Sequence, residues 1–149
     1  MNKVRITKEF NFEMAHALYG YDGPCKNIHG HSYSLSVTVL GSPINDSSNP
    51  KNGMVMDFSD LKKIVKGNII DRFDHALVLN QNSPHHEFNG KDLFENIGFM
   101  PFQPTCENML LYFVEQVKKE LQEPLQLFSM RLRETKSSYA EWHAAENDR

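Results

Sequence analysis

Three histidines have a spacing that can hold a metal ion. His29 and His31 lie two residues apart at the start of one alternating segment, and His16 ends the apolar row of another. Residues two apart in a strand point the same way, so His29 and His31 are expected side by side, with His16 supplied by the partner strand. Three neutral nitrogens suit zinc and leave a fourth position open, as in catalytic zinc sites. The alternative is three separate histidines, each satisfied by its own hydrogen bonds.

A cysteine lies close to the predicted metal ligands. Cys25 precedes His29 by four residues, in a connection rich in glycine and proline. A nearby cation favours the thiolate, so Cys25 is a candidate base or nucleophile, or a fourth ligand that closes the site. A loop thiol without a role is the alternative.

An aspartate and a histidine are adjacent at Asp74 and His75. A carboxylate beside an imidazole can hold its tautomer and raise its basicity. Adjacent residues of an extended segment point apart, however, so a simple surface pair fits the sequence equally well.

Glu134 ends an apolar row within residues 125–135. A carboxylate on a buried face needs a partner. Arg131 and Arg133 fall on the opposite face of a regular strand, so a ligand with paired N–H donors is the sharper interpretation.

Other polar residues have simpler explanations. Glu107 falls in the first turn of a predicted helix, where the helix dipole stabilises a negative charge. His85 and His86 lie in a long connection, where solvent exposure is favoured over a role as extra metal ligands.

The segments that carry the histidines predict two paired strands. Residues 3–16 and 31–40 alternate between apolar and polar side chains, and an antiparallel hairpin is their simplest pairing. Asp57 is expected to cap a first helix, and Thr105 a second helix that Pro124 stops.

The rest of the chain predicts a small α+β fold. Residues 125–135 and 138–143 are expected to form the last strands, and residues 80–104 a long loop with room for one short helical turn. The order strand, strand, helix, helix, strand, strand predicts a four-stranded antiparallel sheet with two helices on one face. Residues 1–149 are expected to be a single domain.

Composition excludes few functions, but it narrows the class of protein and the kinds of partner to expect. The net charge of −3 gives no electrostatic reason to expect nucleic acid or a membrane surface as partner. No apolar run of about 18 residues occurs, and the first residues lack the apolar block of a signal peptide, so a cytoplasmic protein is expected. In that compartment Cys25 and Cys106 are expected as free thiols rather than as a disulfide.

Six short segments together resemble the 6-pyruvoyl-tetrahydropterin synthase superfamily. They lie in the family's order between about residues 8 and 142, at residues 12–16, 25–31, 55–58, 73–80, 104–108 and 133–135. Within the superfamily the chain is most similar to the 6-carboxytetrahydropterin synthases of queuosine biosynthesis. In that branch, as here, three residues separate the cysteine from the first histidine of the His-Gly-His segment, whereas the pyruvoyl branch usually has a longer gap.

The resemblance implies a tunnelling fold assembled through trimers, usually into a homohexamer that is a dimer of trimers. It implies zinc on the three histidines, and a pocket built between subunits. Cys25, Asp74 and His75 match the family residues that move protons, and the last two are implied to reach a neighbour's site.

The resemblance also implies how the substrate is held and changed. Glu134 matches the residue that grips the amino-pyrimidine edge of a pterin, and Thr105 and Glu107 match residues that line the pocket. The implied lyase activity converts 7,8-dihydroneopterin triphosphate to 6-carboxy-5,6,7,8-tetrahydropterin, acetaldehyde and triphosphate. A 6-pyruvoyl-tetrahydropterin synthase is one alternative, and a zinc- or pterin-binding protein without catalysis is another.

Residues 81–103 depart from the family pattern by their length. Lys91, within this segment, and Lys26 are candidate contacts for the triphosphate.

Overall fold

The computed structural model describes residues 1–88, 90 and 92–147, so Lys91 lies outside the described residues. The strands are β1 (Val4–His16), β2 (His29–Gly41), β3 (Ala76–Asn80), β4 (Ile97–Met100), β5 (Gln126–Thr135) and β6 (Ser138–His143). The helices are α1 (Phe58–Val65), which passes through a π-helical turn at Lys66–Ile70 into α2 (Asp71–Phe73), and then α3 (Cys106–Lys118) and α4 (Ala144–Asn147). Within the described part of the chain, no helix has the length and apolar character needed to cross a membrane.

The strands form one mixed sheet in the order β4-β3-β1-β2-β5-β6. β3 is parallel to both β1 and β4, and the other pairs are antiparallel. The prediction of a four-stranded antiparallel sheet was therefore wrong, because it lacked β3 and β4. Strands in parallel pairs are short, continuous apolar runs, and they lack the alternation that identified the other four.

The predicted hairpin of β1 and β2 is confirmed. Its register places His16 opposite His29, and Met14 opposite His31. Along the end of β1, Phe12, Met14 and His16 are buried while the residues between them are more exposed. The alternation of the sequence thus carries the three histidines to one end of one sheet face.

The core lies between that face of the sheet and the helices α1 and α3. Each helix begins at the predicted cap: the Asp57 carboxylate accepts a hydrogen bond from the Ser59 N–H at 2.8 Å, and the Thr105 hydroxyl accepts one from the Asn108 N–H at 3.1 Å. The helix α3 ends at Lys118, well before Pro124. The buried side chains of this layer include Phe12, Met14, Tyr33, Leu35, Leu61, Val65, Phe113, Val117 and Leu132.

A β-bulge shifts the first part of β5. Opposite Thr38 and Val39 the register passes from Ser129 to Leu127, so Phe128 has no partner in β2. Leu127 is buried in the core, and Phe128 instead lies under the Arg5 guanidinium, 4.4 Å from the ring centroid. Alternation along residues 125–135 predicts Phe128 on the same face as Met130, Leu132 and Glu134, and this prediction is wrong because the added residue reverses the face of the strand.

Truncation of Phe113 is expected to test the packing of this layer. The side chain is fully buried, with its ring centroid 5.4 Å from that of Phe73 and 6.0 Å from that of Phe12. Phe113→Ala is expected to lower the free energy of unfolding by about 3–5 kcal/mol, measured by urea denaturation at fixed protein concentration. Leu111→Ala, on the same helix at an exposed position, is the control and is expected to change it by less than about 0.5 kcal/mol. Equal effects of the two variants would contradict this placement of the core.

Candidate active site

The three predicted metal ligands converge at the end of the β1–β2 hairpin. One ring nitrogen from each of His16, His29 and His31 lies within 4.8 Å of the others. His16 is buried, and the other two are half-buried. The interpretation of three separate histidines does not fit this arrangement.

Hydrogen bonds to main-chain carbonyls fix the tautomers of two of these histidines. His16 Nδ1 lies 2.6 Å from the Pro104 oxygen, and His29 Nδ1 lies 2.8 Å from the Asn27 oxygen. A carbonyl oxygen can only accept, so each Nδ1 carries the proton and each neutral ring presents a lone pair at Nε2. These two Nε2 atoms are 3.0 Å apart. Two lone pairs at that distance repel each other unless a cation or a proton lies between them.

The third histidine also presents an unsatisfied nitrogen. His31 Nε2 is buried and has no hydrogen-bond partner in the described part of the chain, and the Glu134 carboxylate is 3.9 Å away. Buried polar atoms without a partner are rare and need an explanation. Metal–nitrogen distances of about 2.0–2.1 Å place tetrahedral ligand nitrogens about 3.3 Å apart, close to the spacing of His16 and His29. The cluster can therefore hold a metal ion that prefers nitrogen ligands.

Burial keeps two of the histidines in the form that binds a metal. It lowers the pKa of His16 and of His31 below the usual value of 6.5. The hydrogen bond with Pro104 raises the pKa of His16, and the charge of Glu134 raises that of His31, but burial outweighs both. A ligand nitrogen must be unprotonated, so both rings are available to a metal at neutral pH.

Glu134 lies beside the histidine cluster, at the end of β5. Its carboxylate is 4.0 Å from His16 Nε2, and its Oε2 accepts a hydrogen bond from the Tyr33 hydroxyl at 3.4 Å. Arg131 and Arg133 do not reach it: Arg131 pairs with Glu141 at 3.5 Å, and Arg133 donates to the Lys136 oxygen. Neither arginine therefore pairs with the carboxylate, and the Glu134 side chain is 24% exposed.

Tyr33 lies in the alternating apolar row of β2 and is not among the site residues predicted from the sequence. It lies two residues after His31 on the same face of β2, and burial together with the charge of Glu134 raises its pKa well above the usual range. The phenol is therefore a neutral donor at any ordinary pH. Its position two residues from a candidate ligand was the available signal.

Asp74 and His75 are in contact with each other. Asp74 Oδ1 lies 3.0 Å from His75 Nδ1 and also accepts a hydrogen bond from the Glu13 N–H at 2.9 Å. The expectation that adjacent side chains point apart does not apply because His75 has a φ of 62°, a left-handed conformation that costs about 1–3 kcal/mol. Such backbone strain is common at functional sites.

One residue of the Asp74–His75 pair, His75, and one of the histidine cluster, His31, line the same cavity, although the two groups do not touch. Within the described residues, neither member of the pair forms a hydrogen bond or ion pair with the three histidines, and the His75 side chain is 76% exposed. A cavity of about 920 Å³ includes His31 and His75 among its lining residues. Its apolar wall is formed largely by Ile28, Leu77, Phe88 and Phe94.

Cys25 lies in a short 3-10 turn, Pro24–Lys26, between β1 and β2. The Leu18 N–H donates to the Cys25 carbonyl at 3.0 Å, which closes the connection between the strands. The thiol is half-buried, and it is not among the ligand atoms that cluster within 4.8 Å. Three histidines, without Cys25, make up the cluster.

The remaining predicted residues have structural roles or exposed positions. Thr105 caps α3, and Glu107 is exposed in its first turn. His86 is exposed, as predicted, but His85 is not: it is half-buried with its ring 5.3 Å from that of Tyr19.

The two cysteines are expected to differ in reactivity. Both are free, but Cys106 is buried, its thiol donates to the Leu132 oxygen at 3.3 Å, and burial raises its pKa to about 12. The thiolate is the reactive form, so iodoacetamide at about pH 8 should label Cys25 alone in the folded protein. Mass spectrometry of peptides would measure this, with urea-unfolded protein as the control in which both cysteines react. Equal labelling of Cys106 in the folded protein would contradict its placement in the core.

Known proteins resemble this chain in sequence and in fold. Residues 5–145 match the family model for 6-pyruvoyl tetrahydropterin synthase. A protein from Haemophilus influenzae named 6-carboxy-5,6,7,8-tetrahydropterin synthase is 39% identical over 142 residues, which cover 93% of this chain and 97% of that protein.

Solved structures agree with this assignment at the level of the fold. An uncharacterized protein from Wolinella succinogenes superposes with a TM-score of 0.76 at 19% identity, covering 96% of this chain and 99% of the other. The 6-pyruvoyl tetrahydropterin synthase of Plasmodium vivax gives a TM-score of 0.72 at 22% identity, covering 96% and 98%. Because the family model matches nearly the whole length of this chain, the chain belongs to the 6-pyruvoyl tetrahydropterin synthase family.

Proposed function

We propose that this chain is a zinc-dependent 6-carboxy-5,6,7,8-tetrahydropterin synthase. The observation that carries the proposal is the cluster of three histidines with unsatisfied nitrogens beside the open carboxylate of Glu134. The substrate would be 7,8-dihydroneopterin triphosphate. The reaction consumes one water, which supplies the second oxygen of the carboxyl group: one carbon of the three-carbon side chain stays on the ring as that carboxyl group, two leave as acetaldehyde, and triphosphate is released.

Zinc is the metal that best suits the cluster. Its preferred protein ligands include neutral imidazole nitrogens, and three of them leave a position for substrate. Bound at His16, His29 and His31, zinc would supply positive charge that polarises the oxygens of the substrate side chain. The carbonyls of Pro104 and Asn27 hold two of the rings in the tautomer that ligates.

Glu134 would hold the pterin ring. A carboxylate accepts two parallel N–H bonds, and a pterin presents such a pair on its amino-pyrimidine edge. The position of Glu134, 3.9–4.0 Å from two of the metal ligands, supports this role because it puts an acceptor for the ring in the same site as the metal. Thr105 and Glu107, at the start of α3, are proposed to line the same pocket.

Cys25, Asp74 and His75 would move protons at the side-chain carbons. Asp74 fixes the orientation of the His75 ring, so the imidazole can give or take a proton in a constant geometry. The exposure of His75, and its lack of contact with the histidines of its own chain, support a site shared between subunits. We therefore assign the assembly as a homohexamer, a dimer of trimers, in which open sheet edges pair between chains.

Analysis of the products tests the proposed reaction. Zinc-loaded protein incubated with 7,8-dihydroneopterin triphosphate should yield a 6-carboxy pterin by mass spectrometry, with one equivalent of acetaldehyde. A 6-pyruvoyl product without acetaldehyde would assign the chain to the sister activity. Binding of zinc and substrate without turnover would favour a non-catalytic role, and protein stripped of metal is the control.

The variant Glu134→Gln is expected to weaken substrate binding. The loss of charge-assisted bonds to the ring costs about 1.5–3 kcal/mol, so the KM should rise roughly 10- to 100-fold while bound zinc stays constant. Steady-state kinetics and elemental analysis would measure both. Glu141→Gln removes the same charge from the pair with Arg131 and is the control, with an unchanged KM. An unchanged KM in Glu134→Gln would remove the carboxylate from the ring-binding role.

A further inference from the structure

The Glu134 carboxylate has a single fixed partner. Among the described residues, the Tyr33 hydroxyl gives this side chain its one hydrogen bond, at 3.4 Å to Oε2. The neighbouring Cys106 thiol donates elsewhere, to the Leu132 oxygen. The nearby nitrogens of His16 and His31 are 3.9–4.0 Å away, beyond hydrogen-bond distance. The orientation of the carboxylate therefore depends on Tyr33.

The Tyr33 ring is itself held rigidly. It is 1% exposed and stacks on Phe12, with centroids 5.2 Å apart and ring planes within 9°. Phe12 in turn makes an edge contact with Phe113 of α3 at 6.0 Å. On its other side, the His31 ring packs edge-on at 5.6 Å. A hydroxyl on so confined a ring has little freedom to move away from Glu134.

We infer that Tyr33 is a positioning residue for substrate binding, which acts through Glu134. Its hydroxyl holds Oε2, so that Oε1 and the remaining lone pairs face the paired N–H donors of the pterin. A carboxylate fixed in advance loses less conformational entropy when the ligand binds. This inference rests on the proposed ring-binding role of Glu134.

The variant Tyr33→Phe removes only the hydroxyl and keeps the stacked ring. The KM for 7,8-dihydroneopterin triphosphate is expected to rise about tenfold, with kcat within about threefold of the wild-type value, because a hydrogen bond to a charged group is lost. Bound zinc and the thermal midpoint should stay unchanged. Tyr112→Phe is the matched control, since it removes a hydroxyl that contacts Arg72 and should leave the KM unchanged.

A double-mutant cycle separates positioning from simple packing. In the background of Glu134→Ala there is no carboxylate to position, so adding Tyr33→Phe should change kcat/KM by less than about twofold. A purely structural role of the hydroxyl would give the same tenfold loss in both backgrounds.

Failure of the inference about Tyr33 can be told apart from failure of the proposed function. An unchanged KM in Tyr33→Phe, or an equal loss in the Glu134→Ala background, overturns the inference while wild-type turnover still supports the function. A wild-type protein that neither binds nor converts the pterin overturns both.

Discussion

Replacement of His31 by alanine is expected to remove bound metal and activity together. His31 supplies one of three converging nitrogens, and no other described residue forms a hydrogen bond with its Nε2. Loss of a residue that merely supports a ligand already costs about 10- to 100-fold in metal affinity, so loss of a ligand should cost more than about 100-fold. Elemental analysis after dialysis should find less than about one-tenth of the wild-type zinc, with activity reduced in proportion.

The matched control for this experiment is His86→Ala. His86 is exposed; among the described residues its ring bonds to the nearby Ser83 oxygen, and the Glu87 carboxylate lies 4.0 Å away. Its zinc content and turnover should equal those of the wild type. Full metal content in His31→Ala would show that His31 is not a ligand, whatever its effect on turnover.

The variant Cys25→Ala is expected to keep zinc and lose turnover. The thiol lies outside the histidine cluster, so the ligand set stays complete. Removal of a residue that transfers protons typically costs 10²- to 10⁴-fold in rate, and a fall in kcat of about that size is expected. Elemental analysis and single-turnover kinetics would separate the two effects.

The variant Cys106→Ala controls for the loss of a thiol. Cys106 lies in the core and donates to a main-chain oxygen, so its loss should leave kcat within about twofold. If zinc leaves together with the Cys25 thiol, Cys25 is a fourth ligand and the site is closed to substrate.

The part of the site that lies on alternating strands could be predicted from the sequence. Strict alternation in β1 and β2 fixes which side chains share a face, and a hairpin pairs them, so the convergence of His16, His29 and His31 followed from local pattern alone. The caps at Asp57 and Thr105 were equally local, since each depends on a side chain and an N–H within three residues.

Features that depend on distant contacts could not be predicted in this way. The strands β3 and β4 form only by pairing beside β1, and their short apolar runs resemble those of many other segments. The left-handed conformation of His75 accompanies hydrogen bonds of Asp74 and His75 to the main chain of Glu13, 61 and 62 residues earlier. The contact between Asp74 and His75 therefore requires the folded sheet.

The bulge at Phe128 separates β5 into two parts whose registers are independent. The part from Ser129 onwards, which ends in Glu134, is fixed by its pairing with residues 34–38 of β2. Because the extra residue lies before this part, deletion of Phe128 would give a regular strand in which Leu127 still pairs with Val39 and Gln126 with Leu40, without moving the carboxylate. Deletion of residue 128 should therefore be tolerated by the proposed substrate site and by the core, and should remove mainly the contact of the Phe128 ring with Arg5.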